Sequence, residues 1–196
     1  MRLFVAIVPP PAVVAELSRQ LSPLQAGSAP GLRWTDPGTW HVTLAFLGDV
    51  PEAALGDLGA RLELAARGQP AASLRLRGGS AFPSAARAGV VTAVVTTVPR
   101  PTGRRPLAAL AVAVADAARQ AGAPPPAGDP PFRAHLTLAR LRPSANVSPL
   151  LAGLAGLAVG PWRAADIRLI RSHLGGPSGP PRYAELARWP LGPPPA

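Results

Sequence analysis

The heptapeptide HVTLAFL at residues 41–47 returns as HLTLARL at residues 135–141, and this pair of segments decides the expected fold. Five of the seven positions are identical, namely the histidine, the threonine, the central leucine, the alanine and the final leucine. Two of the chain's three histidines, His41 and His135, open the two copies. Two copies are too few for a stacked repeat protein, so the pattern predicts a duplicated unit instead.

Each copy predicts a β-strand, the first over Trp40–Leu47 and the second over Ala134–Leu141. Because side chains alternate between the faces of a strand, His41 and Thr43 share one face, about 6.6 Å apart along the strand. Val42, Leu44 and Phe46 are expected to point the other way, into a core, and His135 and Thr137 repeat the pattern. If the two copies face each other, the space between them holds two imidazoles and two hydroxyls.

The rest of the chain predicts strands and helices that alternate irregularly. Helices are predicted over 10–24, in the segment after Asp49, and over 104–121, and 147–158 is helical or looped. Further strands are predicted over Leu3–Val8, Leu32–Thr35, 72–80, 88–97, 163–173 and 182–189, and Gly192–Ala196 is expected to be a frayed tail. There is no regular parallel βαβ rhythm and no Gly-rich loop after the first strand, so the sequence favours an α+β fold.

The paired motif suits hydrolysis of a phosphodiester. Attack by water on phosphorus needs a base, and the departing ribose oxygen needs an acid. Histidine suits both tasks, because its ordinary pKa near 6.5 lets one ring be neutral while the other is protonated. The hydroxyls of Thr43 and Thr137 can donate hydrogen bonds to the non-bridging phosphate oxygens. The symmetry of the two copies leaves open which histidine is the acid.

Composition narrows the possible partners and chemistry. The 196 residues are enough for one substantial domain or two compact lobes, and 20 basic residues, all arginine, outnumber 10 acidic ones, which favours an anionic partner such as nucleic acid. Without lysine there is no Schiff base and no P-loop lysine, and without cysteine no thiol nucleophile. No carboxylate or histidine stands at ligand spacing beside the histidines, so we expect no metal and no cofactor. The opening apolar run is too short to cross a membrane, and a cytoplasmic location is expected.

With these two motifs, the sequence resembles the 2H phosphoesterase superfamily, and within it the bacterial and archaeal RNA 2',3'-cyclic phosphodiesterases, once named 2'-5' RNA ligases. Besides the two motifs, the resemblance includes RLFVAI at 2–7, Arg33-Trp34, Arg171-Ser172, Gly179-Pro180 and Arg182-Tyr183. It implies a single domain over 1–196 with two pseudo-symmetric lobes of antiparallel sheet and flanking helices around a central basic cleft. It also implies hydrolysis of a cyclic phosphate to a 2'-phosphomonoester, with His41 as the proton donor and His135 as the proton acceptor.

Other residues are secondary candidates. Arg140 is either a phosphate ligand or half of a structural ion pair, and strict alternation points it away from His135 unless the strand bulges there. Phe46 alternates to the core side as well, although aromatic residues of the family can flank a base. Trp34 and Tyr183 are candidates for base stacking, as is Trp40, which replaces the family's commoner aliphatic residue.

Three alternatives to the leading function remain. The chain can catalyse reversible 2'-5' RNA ligation, it can hydrolyse a small cyclic phosphate, or it can be a non-catalytic module that binds RNA ends. A monomer is expected in each case, because both motifs of one site lie in one chain.

Overall fold

A computed structural model describes residues 1–27, 31–99, 105–126, 131–173 and 181–192. Its helices are α1 (Pro11–Ala26), α2 (Leu55–Arg67), α3 (Pro106–Gln120) and α4 (Ser148–Gly153). Its strands are β1 (Arg2–Ile7), β2 (Leu32–Trp34), β3 (Val42–Asp49), β4 (Ala72–Phe82), β5 (Ala88–Val98), β6 (His135–Ala145), β7 (Ala158–Ala164), β8 (Asp166–His173) and β9 (Arg182–Pro190). The elements therefore mix helices with antiparallel strands, as the sequence predicts.

The described strands form one curled antiparallel sheet in the order β7-β4-β5-β6-β3-β1-β8-β9, and β2 also pairs with β6. The two motif strands, β3 and β6, are neighbours at its centre, where Val42 pairs with Leu136. Each half repeats a strand, helix and strand, with β1, α1 and β3 in one half and β5, α3 and β6 in the other. The predicted α+β fold with two related halves is confirmed.

The main hydrophobic core lies between the helices and one face of this sheet. Leu17 and Leu21 of α1 and Leu58 and Leu62 of α2 are fully buried in it. Their spacing of four residues puts each pair on one face of its helix, and burying one such side chain contributes roughly 1.5–3 kcal/mol. The histidine motifs are anchored to this core by residues such as Val42.

The opposite, concave face of the sheet carries a second and smaller apolar cluster. Phe4, Ala6 and Ile170 are its buried members, and Val8 and Tyr183 pack against them. Phe4 pairs with Ile170 across β1 and β8, so their side chains emerge on the same face. This cluster forms a local floor on the face that the motif histidines share.

Two sequence-based boundaries need correction. The predicted strand 163–173 is two strands, because β7 pairs with β4 in one half of the sheet while β8 pairs with β1 in the other, and the chain changes partner at Ala165. Gly192, the first residue of the expected tail, is held by hydrogen bonds from its N–H to the carbonyls of Ala66 and Gln69. Residues 193–196, and Gly179 and Pro180 of the resemblance, lie outside the described residues.

In the part of the chain that the structure describes, no helix has the length and apolar character needed to span a membrane.

Candidate active site

The two motif histidines are held in the same way. Nδ1–H of His41 donates to the carbonyl oxygen of Thr39 at 2.7 Å, and Nδ1–H of His135 donates to the carbonyl of Arg133 at 2.7 Å. A carbonyl oxygen only accepts, so Nδ1 of each ring carries the proton. In each case, therefore, Nε2 is the nitrogen that can take up or release a proton.

The central strand pair brings the two motifs together. Val42 and Leu136 are paired and both are buried, so their side chains point into the main core. Continuing this antiparallel register by one residue on each side sets His41 beside Thr137 and Thr43 beside His135, all on the concave face. The sequence-predicted set of two imidazoles and two hydroxyls thus shares one surface.

A β-bulge in each motif decides where the following residues point. On β1, Val5 pairs with Ala45 and Ala6 with Thr43, which leaves Leu44 as an extra residue of β3. On β5, Val91 pairs with Ala139 and Thr92 with Thr137, which leaves Leu138 as the extra residue of β6. Such an insertion reverses the alternation of side chains beyond it.

The bulges bring Phe46 and Arg140 to the concave face. Ala45 and Ala139 are buried where strict alternation would expose them, and Phe46 is 52% exposed. Arg140 is exposed as well. Strict alternation would point Phe46 and Arg140 away from the histidines, but it does not hold here, because an unpaired residue separates each of them from its motif threonine. The bulge that Arg140 needs in order to face the site is present.

His41 lies in an aromatic and partly desolvated environment. Its ring centroid is 4.7 Å from that of Phe4 and 5.4 Å from that of Tyr183, which it meets edge-on. Burial lowers the pKa of His41, the Thr39 carbonyl opposes that shift, and the positive charges of His135 and Arg140 lower the pKa further. Burial raises the pKa of Tyr183, and Arg140 opposes the shift. Arg140 is therefore close enough to act on both rings.

The surroundings of His135 differ. Its nearest described aromatic partner is Phe82, at a centroid distance of 5.3 Å. Thr92 of β5 is the partner of Thr137. Thr92 is fully buried, and its hydroxyl donates to the carbonyl of Ser80 at 3.4 Å. In the other half of the site, Ala6 of β1 is the partner of Thr43 and takes the place that Thr92 has beside Thr137. The pseudo-symmetric site thus has an apolar floor under His41 and a more polar one under His135.

Comparisons with known proteins identify the family of this chain. The model of the LigT-like phosphoesterase family matches residues 8–92 and 98–180, which cover most of the chain and both histidine motifs. The chain belongs to the LigT-like phosphoesterase family. The resemblance to 2H phosphoesterases is confirmed by this match.

Relatives of this LigT-like phosphoesterase align over nearly its whole length. An RNA 2',3'-cyclic phosphodiesterase of Thermus thermophilus is 34% identical over 188 residues, which cover 92% of this chain and 85% of the relative. A crystal structure of a T. thermophilus protein has a TM-score of 0.75 at 29% identity, covering 98% of this chain and 99% of its own. The crystal structure of E. coli LigT complexed with 3'-AMP has a TM-score of 0.70 at 27% identity, covering 97% of each chain.

Not every predicted residue of the LigT-like chain joins the site. Trp34 stands opposite Ala139, which is fully buried, and packs against the main core, so it lies on the other face of the sheet from Arg140. Trp40 is also buried in that core, where Nε1 donates to the hydroxyl of Thr35. His173, the third histidine, is exposed at the end of β8. Tyr183 does reach His41.

Sequence reasoning missed three residues around the site. Phe4 lies in an unbroken apolar strand, whose composition gives no indication of which side chain faces the concave surface. Thr35 and Thr92 have no distinguishing feature in the sequence, and only the fold places both of them beside the second motif. None of the three carries a signal that one sequence could have exposed.

A cavity of about 140 Å³ opens beside His41. Among its lining residues, Arg168 is held by the carboxylates of Asp166 and Glu185, at 3.0 Å each, so its charge is balanced. The full lining is Val8, Gly38, Thr39, Trp40, His41, Arg168, Ile170, Tyr183 and Glu185. The cavity thus combines apolar and aromatic walls with the ring of His41.

Proposed function

We propose that this phosphoesterase is an RNA 2',3'-cyclic phosphodiesterase, which opens the cyclic phosphate at an RNA 3' end and leaves a 2'-phosphomonoester. The observation that carries the proposal is the matched pair of histidines, each with Nδ1–H held by the carbonyl two residues earlier and Nε2 available. The name of the 34% identical T. thermophilus relative supports RNA as the substrate, and so does the excess of arginine.

In the proposed reaction, a water oxygen attacks phosphorus and the bond from phosphorus to O3' breaks. Nε2 of His135 takes the proton from the water, and Nε2–H of His41 gives a proton to O3' as it leaves. The phosphate remains on O2', and exchange with solvent returns both rings to their starting states. This assignment of acid and base follows the family resemblance.

The surroundings of the histidines are compatible with those roles. A ring with a lowered pKa is a stronger acid once protonated, and the negative charge of a bound phosphodiester raises the pKa of a nearby histidine. The hydroxyls of Thr43 and Thr137 donate to the non-bridging oxygens, and the charge of Arg140 stabilises the negative charge that builds up on them. The exposed ring of Phe46 and the half-buried ring of Tyr183 offer faces for the terminal base.

The protein is proposed to act without a metal or another cofactor, as a cytoplasmic monomer. The pair of histidines supplies both proton transfers, and both motifs of one site come from a single chain.

The test is incubation of the purified protein, with EDTA, on an RNA oligonucleotide that ends in a 2',3'-cyclic phosphate. We expect a 2'-phosphate product and a loss of at least about 100-fold in kcat for His41→Ala and for His135→Ala. The matched control is His173→Ala, which removes the remaining histidine and is expected to leave kcat unchanged.

Other outcomes separate the alternatives. Hydrolysis of a mononucleotide 2',3'-cyclic phosphate alone would indicate a small-molecule enzyme. Joining of an RNA end that carries a 2',3'-cyclic phosphate to a 5'-hydroxyl end would indicate ligation. RNA binding without turnover between about pH 5 and 8, where unperturbed histidines titrate, would contradict the proposal in favour of a binding module.

A further inference from the structure

Two arginines stand side by side at one end of the site. Arg33 of β2 is the direct partner of Arg140 of β6 in an antiparallel pair. Directly opposite residues in such a pair have side chains on the same face, with Cα atoms about 4.5–5.5 Å apart. Since the bulge at Leu138 brings Arg140 to the concave face, Arg33 emerges on that face as well.

Like several other described arginines, the two members of this pair have no carboxylate partner, so what distinguishes them is that they stand directly opposite each other. Arg168 and Arg188 are held by Asp166 and Glu185. Within the described residues, neither Arg33 nor Arg140 has a carboxylate at ion-pair distance. Like charges set directly opposite each other destabilise a sheet, and an anion between or above the two guanidinium groups would relieve that repulsion.

The nearest acidic residue along the chain, Asp36, is at ion-pair distance from neither arginine. Asp36 follows Arg33 by three residues, and its Oδ1 accepts the N–H of Gly38 at 2.7 Å. It caps the short 3-10 helix Pro37–Thr39 that leads to His41. Its role is therefore to position the backbone before the first motif.

The positive charge continues beyond the pair in one direction. Arg142 is exposed and follows Arg140 by two residues, about 6.6 Å further along β6. It too has no carboxylate partner at ion-pair distance in the described part of the chain. The opposite end of the site, at Phe46, is aromatic. The charges of Arg140 and Arg142 therefore extend along β6 away from the paired motif histidines.

We propose that Arg33 and Arg142 bind the backbone phosphates of the nucleotides that precede the cyclic phosphate, so that the enzyme acts on an RNA strand in preference to a mononucleotide. The inference rests on the proposed function. In it, Arg140 serves the reacting phosphate, whereas Arg33 and Arg142 bind phosphates that only an oligonucleotide possesses. A guanidinium fork suits each of these phosphates, because it can donate two parallel hydrogen bonds to one of them.

The experiment compares kcat/KM for adenosine 2',3'-cyclic phosphate with kcat/KM for a short RNA ending in adenosine 2',3'-cyclic phosphate. For Arg33→Gln and for Arg142→Gln we expect a loss of roughly 5- to 10-fold on the RNA, mainly in KM, and no change on the mononucleotide. The slope of log kcat/KM against log salt concentration on the RNA is expected to become shallower by about 0.7 for each phosphate that the variant no longer neutralises.

Two controls accompany these variants. Arg19→Gln removes one positive charge from the exposed face of α1, on the other side of the sheet, and is expected to change the activity on neither substrate. Arg33→Lys keeps the charge and is expected to retain most of the activity on RNA. The activity on the mononucleotide reports in each case that the variant is folded.

The outcomes separate this inference from the function on which it rests. Equal losses on the two substrates, or none on either, would overturn the inference and leave the phosphodiesterase intact. A wild-type protein that turns over neither substrate would instead overturn the proposed function.

Discussion

Nε1 of Trp40 donates a 2.8 Å hydrogen bond to the hydroxyl of Thr35, and that hydroxyl lies 2.9 Å from the carbonyl oxygens of Thr137 and Leu138. The N–H of Thr35 donates to the same Leu138 carbonyl at 2.9 Å. The residue before the first histidine is thereby joined to the bulge of the second motif. Because β3 and β6 are also paired directly, this chain of bonds supplies a second connection between the two halves of the site.

Thr35→Val is expected to lower the stability of the protein and the kcat, with little change in KM. Valine has nearly the shape of threonine but leaves the buried indole donor of Trp40 unpaired, which costs about 1–3 kcal/mol in the free energy of unfolding. Urea unfolding and steady-state kinetics measure the two effects. Thr35→Ser keeps the hydroxyl and should restore kcat, and equal behaviour of the valine and serine variants would show that the bond does not position the site.

His41 is expected to make stability depend on pH. Burial lowers its pKa below the ordinary value of 6.5, so the unfolded chain binds this proton more readily than the folded protein does. The stability that the protein gains from keeping His41 neutral is therefore present above pH 6.5, and it is lost as the pH falls through the folded-state pKa of His41. Urea unfolding of the wild-type protein and of His41→Gln between about pH 5 and 7.5, a range spanning that titration, should show this pH dependence in the wild type alone. A difference between the two proteins that stays constant with pH would contradict it.

Arg140→Gln is expected to raise the pKa of two other residues and to weaken substrate binding. The guanidinium lowers the pKa of both His41 and Tyr183, so its removal should shift both titrations upward. Tyr183 is the chain's single tyrosine, which lets ultraviolet absorbance follow its phenolate without overlap, while NMR follows the histidine. Unchanged titrations would mean that Arg140 does not face the site. Arg19→Gln is the matched charge control.

The bulge at Leu44 predicts opposite consequences for two neighbouring apolar residues. Leu44→Ala removes a side chain that is 5% exposed and should cost about 2–5 kcal/mol in the free energy of unfolding. Phe46→Ala removes an exposed ring that packs near Phe4, so it should cost roughly 1 kcal/mol or less while raising KM for the RNA substrate. Urea unfolding of both variants tests the bulge. Without it, strict alternation would bury Phe46, and Phe46→Ala would lower the free energy of unfolding as much as Leu44→Ala does.

The motif residues were predictable because their signal is local. Their identity in two copies and the two-residue period of a strand place His41 with Thr43 and His135 with Thr137, and the structure keeps both pairs on one face. The orientation of Arg140, three residues after Thr137, could not be predicted in the same way. Arg140 faces the histidines only because Leu138 is an extra residue relative to β5, and a bulge is a property of two paired strands.

Site residues that come from distant strands could not be predicted from the sequence either. Phe4 and Tyr183 pack against His41 because β1, β8 and β9 follow β3 in the sheet, an order that no single segment encodes. The break at Ala165 has the same origin, since each side of it pairs with a strand of a different half. The opposite holds for Trp34. Its residue type made it a candidate for base stacking, but the pairing of β2 with β6 turns its side chain toward the main core.

The sequence by itself determined the reacting groups, their duplication and the α+β class, because each depends on residue type and on a periodicity that operates within one strand or helix. Only the tertiary structure decided that the two motif strands are neighbours, that Phe46 and Arg140 face the histidines, and that Arg33 stands beside Arg140. Those relationships depend on cross-strand register, which is set by the packing of many side chains at once. Alternation within a single strand does not contain that information.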